Sequence, residues 1–158
     1  MSNATQWGLP PDFTPVRFPI SDEAKAAVRS LLGQSDPVVI SLANDEDAIA
    51  IIGTPTRLLV VKLSALGAGA AGVKVREFPW EGIERIVATP LSFQLKIALH
   101  YRSSNNGRTV EVGRRAKLAD AAVENLAGFD LDNGTAVVAA MTQIWESQRE
   151  PDADNILD

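Results

Sequence analysis

The chain has 158 residues, a formal net charge of −5 and no cysteine. Its length suits one domain, and a chain of that size buries about 68–70% of its unfolded surface, so the core needs no covalent staple. The lack of cysteine excludes disulfides and cysteine-based zinc sites and fits a reducing, cytoplasmic setting, while no apolar run approaches the roughly 20 residues of a membrane helix.

Residues 1–20 carry four prolines, Pro10, Pro11, Pro15 and Pro19, and read as an extended arm. They also lack the basic-then-apolar pattern of a secretory signal. Trp7, Phe13 and Phe18 predict that the arm docks on the domain rather than floating free. Ser21 can cap a helix, with Asp22 and Glu23 in the favourable first turn. Ala24, Ala27, Val28, Leu31 and Leu32 then share one helical face, and Gly33 terminates it.

Strands are expected at 38–42, 48–52 and 58–63, separated by turns at 44–47 and 53–56. The small-residue stretch 64–72 reads as a loop. Val73, Val75 and Glu77 alternate with Lys74, Arg76 and Phe78 as a fourth strand, which Pro79 ends. Ile83, Ile86 and Val87 open a fifth that ends near Pro90. From Phe93, the residues Leu95, Ile97, Leu99 and Tyr101 alternate with Gln94, Lys96, Ala98, His100 and Arg102, the pattern of a half-buried antiparallel strand. That phase places Phe93 inward and Lys96 and Arg102 outward. Asn106-Gly107 suits a tight turn, and 108–113 reads as the return strand. Two helices follow, one over 118–126 on Leu118, Ala119, Ala122, Val123 and Leu126. The second rests on Val137, Val138, Met141, Ile144 and Trp145, after a turn at Asp132-Asn133-Gly134. Residues 150–158 are acidic, poor in apolar side chains and expected to be disordered.

Charge is unevenly spread. Residues 57–117 hold 11 of the 15 basic residues and 4 acids, whereas both flanks are acidic. One explanation is internal, with acidic flanks packed beside a basic sheet. The other is a surface for an anionic partner.

Phe78-Pro79-Trp80, the spaced Ile83 and Ile86, and the long strand 93–102 carry a resemblance to a known family. Seven short strands followed by a helix, with these residues in the middle, resemble the pleckstrin-homology-like (PH-like) barrel, and most of all the bacterial PH-like and GRAM-like domains. The resemblance covers about residues 36–127. It implies an α+β fold: a PH-like antiparallel seven-stranded barrel with a preceding helix and one or two C-terminal helices, of which 118–126 would cap the barrel. The domain would span 21–149, between the arm 1–20 and a tail 150–158. It also implies a non-enzymatic binding or scaffold module, since such barrels bind lipids, peptides or proteins. Members that bind phosphoinositides keep basic residues around the first hairpin loop. Here that loop is Asn44-Asp45-Glu46-Asp47, which repels phosphate. A protein or acidic peptide is therefore the expected partner, with anionic lipid second.

Several motifs have plainer roles than the chemistry they suggest. Gly67-Ala68-Gly69-Ala70-Ala71-Gly72 fits the dinucleotide fingerprint, but an alternating strand follows where a helix is required. His100 is the only histidine, which excludes multi-histidine metal sites within one chain. Asp45, Glu46 and Asp47 read as a solvated turn. Asp130–Gly134 departs from a calcium loop because its glycine falls one place early. Trp80 and Trp145 read as core anchors. No catalytic, cofactor or metal residue is assigned, and the rival function is an enzyme with an unrecognised carboxylate site. Arg57, Lys62, Lys74, Arg76, Lys96 and Arg102 lie on strands, where the polar phase shares one sheet face. Lys74, Arg76, Lys96 and Arg102 are the expected partner-binding residues, forming one patch if their two strands are neighbours. Nucleic acid is disfavoured because no stacking aromatics are interleaved with these cations.

Overall fold

The computed structural model describes residues 8–32, 36–63, 73–102 and 121–157, with side chains in the last stretch from 122 to 148. In chain order the elements are β1 (Val16–Arg17), α1 (Asp22–Arg29), β2 (Ile40–Ala43), β3 (Ile49–Gly53), β4 (Arg57–Leu63) and β5 (Val73–Pro79). A single 3-10 turn, Trp80–Gly82, leads to β6 (Ile83–Leu91), β7 (Gln94–Arg102), β8 (Ala121–Asp130) and α2 (Leu131–Leu157). The fold is α+β. Five strands form one sheet in the order β1-β2-β3-β4-β5, and three form a second, β6-β7-β8.

The first sheet is buried on both faces. Its inner face, with Ile51, Leu58, Val60 and Phe78, joins the main core against Ile97, Leu99 and Leu126 of the second sheet. Its outer face, with Ala50, Ile52, Leu59 and Val61, is covered by Ala24 and Val28 of α1. Burial on both faces explains why β2 to β4 read as nearly continuous apolar runs instead of alternating. Helix α1 starts as expected: the Ser21 side chain accepts from the Ala24 N–H at 3.1 Å. Leu9 and Phe13 of the arm are buried in the main core, so the arm docks as expected.

Within 36–102 every described strand pair is antiparallel. The arm adds one parallel pair, Val16 and Arg17 beside Ile40 and Ser41 of β2, with α1 as the crossover.

The structure departs from the sequence expectations in three regions. The first is the barrel: eight described strands form two separate sheets where a seven-stranded barrel was expected. The sheets meet at one corner, where the Asp45 N–H donates to the Gly128 carbonyl at 2.8 Å and Asn44 Nδ2 donates to the Ala127 carbonyl at 3.1 Å. The second is the helix at 118–126. Its described part is strand β8, which returns alongside β7; the expected return strand 108–113 lies outside the described residues. One C-terminal helix remains, α2, and it closes the core with Val137, Ala140, Met141 and Ile144. It begins earlier than the sequence suggested, with Asp130 Oδ2 accepting from the Asn133 N–H at 2.9 Å. The expected turn at Asp132–Gly134 is therefore the helix's first turn. The backbone of residues 150–157, expected to be loose, continues this helix. The third is Phe93, which lies in the β6–β7 turn with 85% exposure instead of facing the core.

Candidate functional site: a charged rim between the sheets

Strand β4 is apolar in its middle, and the inward phases of β4 and β5 become cationic towards residues 64–72. On the inward phase, β4 presents Leu58, Val60 and Lys62, while β5 presents Phe78, Arg76 and Lys74. Lys62 pairs in register with Lys74, and Val60 with Arg76. Side chains two apart on a strand share a face, so Lys62, Lys74 and Arg76 continue the core-facing side out to its rim. The sequence suggested one polar sheet face in water for all the strand cations. These three instead sit at the edge of the inter-sheet space.

One carboxylate reaches them from the other sheet. Glu124 of β8 is only 7% exposed and forms an ion pair with Lys62 and a second with Arg76, whose Nη1 lies 3.4 Å from Glu124 Oε1. Arg76 Nη2 donates to the Tyr101 hydroxyl at 2.8 Å. The guanidinium carbon lies 5.6 Å from the Phe78 ring centroid and 5.9 Å from that of Tyr101. Those two rings meet edge to face at 4.9 Å. Arg76 is thus held by cation–π contact with two rings and by a fork of donors that lysine does not reproduce. Three cations around one acid leave the rim net positive. Lys62 and Arg76 keep 39% and 44% of their side chains exposed.

The other expected cations lie elsewhere. Lys96 and Arg102 occupy the outward phase of β7, as the alternation predicted. Arg102 Nη2 is 2.8 Å from Glu84 Oε2 on neighbouring β6. Strands β5 and β7 belong to different sheets, so hydrogen bonding does not join Lys74 and Arg76 to Lys96 and Arg102. Arg57 ties Asp36 and Glu77 together and donates to the Leu31 carbonyl at the end of α1. The Glu77 hydrogen bond raises the Arg57 pKa above its ordinary value; opposing desolvation is outweighed with Coulombic help from Glu77 and Asp36. A raised value means that this contribution is complete below the ordinary arginine range and is lost only as pH climbs through the higher folded value, so these pairs hold through neutral pH. The pairs Asp36–Arg57, Glu124–Lys62 and Glu124–Arg76 join acidic flanks to the basic strands, so part of the charge asymmetry is internal.

Remaining candidates have structural roles. Trp80 is fully buried beside Ile83, and its Nε1 donates to the Thr54 carbonyl at 2.8 Å. Trp145 Nε1 donates to the Ile83 carbonyl at 2.6 Å. Asn44 accepts from the Ala48 and Ile49 N–H groups and fixes the β2–β3 turn. His100 is half-buried on the outer face of β7, in register with Arg85 and Val123. Residues 67–72 lie outside the described residues. Among the described residues no group of three His, Asp or Glu is placed to hold a metal ion, and no helix is long and apolar enough to cross a membrane. Glu124 was missed from the sequence because its strand was read as a helix.

No protein-family model matches the chain, and no curated protein matches it. A structural comparison finds a pleckstrin homology domain from Shewanella amazonensis SB2B, with 15% sequence identity and a TM-score of 0.40, covering 75% of this chain and 94% of that one.

Proposed function

We propose that this chain is a non-enzymatic, cytoplasmic PH-like binding or scaffold module, and that its partner is a protein or peptide with an acidic segment. The observation that carries this reading is the rim: Lys62, Lys74 and Arg76 converge from two strands, and among the described residues Glu124 is the one acid paired there, with Lys62 and Arg76. Lys74 and Arg76 are the main contacts. Lys96 and Arg102 offer a second, outer set that a longer partner would reach. The acidic turn at Asn44–Asp47 disfavours inositol phosphates, so anionic lipid is second to protein.

The test compares a glutamate-rich peptide with vesicles containing phosphatidylserine. Wild-type chain should bind the peptide at low salt and release it at high salt. Lys74→Glu/Arg76→Glu should abolish binding, and Lys96→Glu/Arg102→Glu should weaken it less. Binding to vesicles but not peptide would favour lipid. Binding that ignores both charge reversals and salt would mean that the cations serve internal packing alone.

A further inference from the structure

The β6–β7 turn carries a feature that the fold does not require. Register pairs Leu91 with Gln94 and leaves Ser92-Phe93 as a two-residue turn. Neither residue has a positive φ, so the backbone accepts most residue types there. The turn nevertheless holds Phe93 at 85% exposure beside Leu91 at 47%. Among the described residues the other exposed large apolar side chains are Leu31, just after α1, and Val123 on β8. Single exposed apolar residues are ordinary; an aromatic and a leucine together at a hairpin tip present one protruding apolar knob.

The surroundings of the knob are acidic. Gln94 donates to Asp45 Oδ2 at 3.0 Å, bringing the β2–β3 turn against the tip. Asp45, Glu46 and Asp47 on that turn are all exposed. Asp130 is in register with Gln94, and Asp132 follows in the first turn of α2. None of these five acids is ion-paired among the described residues. Within three rungs of the tip the hairpin carries one cation, Lys96.

We propose that this tip is a second docking surface, opposite in sign to the rim, and that it takes a cationic amphipathic protein segment. Phe93 and Leu91 contact the segment's apolar side, and its Lys and Arg residues meet Asp45, Asp130 and Asp132. An anionic membrane is disfavoured by the same acids. The occupant is thus distinguished by charge from that of the rim, and this inference does not depend on the rim's function.

A labelled helical peptide of leucine and lysine, apolar on one side, is the probe, with the full chain and fluorescence anisotropy at low and high salt. Phe93→Ser should weaken binding about tenfold, as expected for a central aromatic contact. It should leave the urea midpoint unchanged, because the ring is in water. Asp45→Asn/Asp132→Asn should weaken binding and flatten its salt dependence. Lys74→Glu/Arg76→Glu should not weaken it. Equal binding by wild type and Phe93→Ser would overturn the proposal, leaving only attraction to a net-negative chain. So would absence of peptide binding, including cases where Phe93 instead supports binding to phosphatidylcholine vesicles or self-association in sedimentation.

Discussion

Trp80 ties the 3-10 turn after β5 to the loop between β3 and β4. Its ring fills the main core, and its one polar atom reaches the carbonyl of Thr54, itself buried. Trp80→Ala should cost about 3–5 kcal/mol through the cavity it leaves, measured by urea denaturation. Trp80→Phe keeps much of the volume but leaves the Thr54 carbonyl without this donor, so about 1–3 kcal/mol should still be lost. An unchanged midpoint in either variant would show that the indole is dispensable to the core. The role of this tryptophan was legible because it closes the run Phe78-Pro79-Trp80 and precedes the apolar Ile83 and Ile86. The role of Glu124 was not legible. A glutamate in an apolar stretch gives no sign that two cations wait 48 and 62 residues earlier in the chain.

Strand β8 shows why a whole element was misread. Leu126 pairs with Ile97, and Phe129 with Leu95, so three residues of β8 span two of β7. The extra residue is a β-bulge at Ala127–Gly128, and Gly128 takes a φ of +87°. The bulge turns Leu126 and Phe129 to the same face although they are three apart. The helix reading rests on Leu118, Ala119, Ala122, Val123 and Leu126, which recur at helical spacing, although in the strand Val123 is exposed and Leu126 is buried. Gly128→Ala should destabilise the fold by about 1–3 kcal/mol, because a left-handed φ is costly for alanine. A Cβ there would also press on Asn44 Nδ2 at 3.3 Å, at the corner joining the sheets. The urea midpoint is the measure; a variant as stable as wild type would mean that the bulge relaxes freely. Helix α2 also depends on a glycine: a Cβ on Gly134 would lie 2.9 Å from Leu95 Cδ2, so its absence lets the helix sit close on the second sheet.

At the scale of the whole molecule, Glu124 links the two sheets and also offsets the charge of the rim. Glu124→Gln should therefore move two measurements in opposite directions. Stability should fall by only about 1 kcal/mol, since both cationic partners remain substantially exposed and screened by solvent. Affinity for the glutamate-rich peptide should rise, because the rim loses the acid that pairs with Lys62 and Arg76. A loss of both would mean that Glu124 positions the rim more than it neutralises it. What the sequence by itself determined was local and periodic: the capped helix α1, the edges of β3 to β7, the docking of the arm and the inward phase of β7 from Leu95 onward. Each of these follows from which residues alternate, which cap and which break, and such signals reach only a few positions along the chain. Tertiary structure alone decided that the sheets meet at a corner without closing into a barrel, and that 121–130 is a strand closed over by a single helix. It also divided the cations of β4, β5 and β7 between an inner rim and an outer face. The physical reason is that period two says which residues share a face of one strand, while pairing and packing over long sequence separation decide what that face meets.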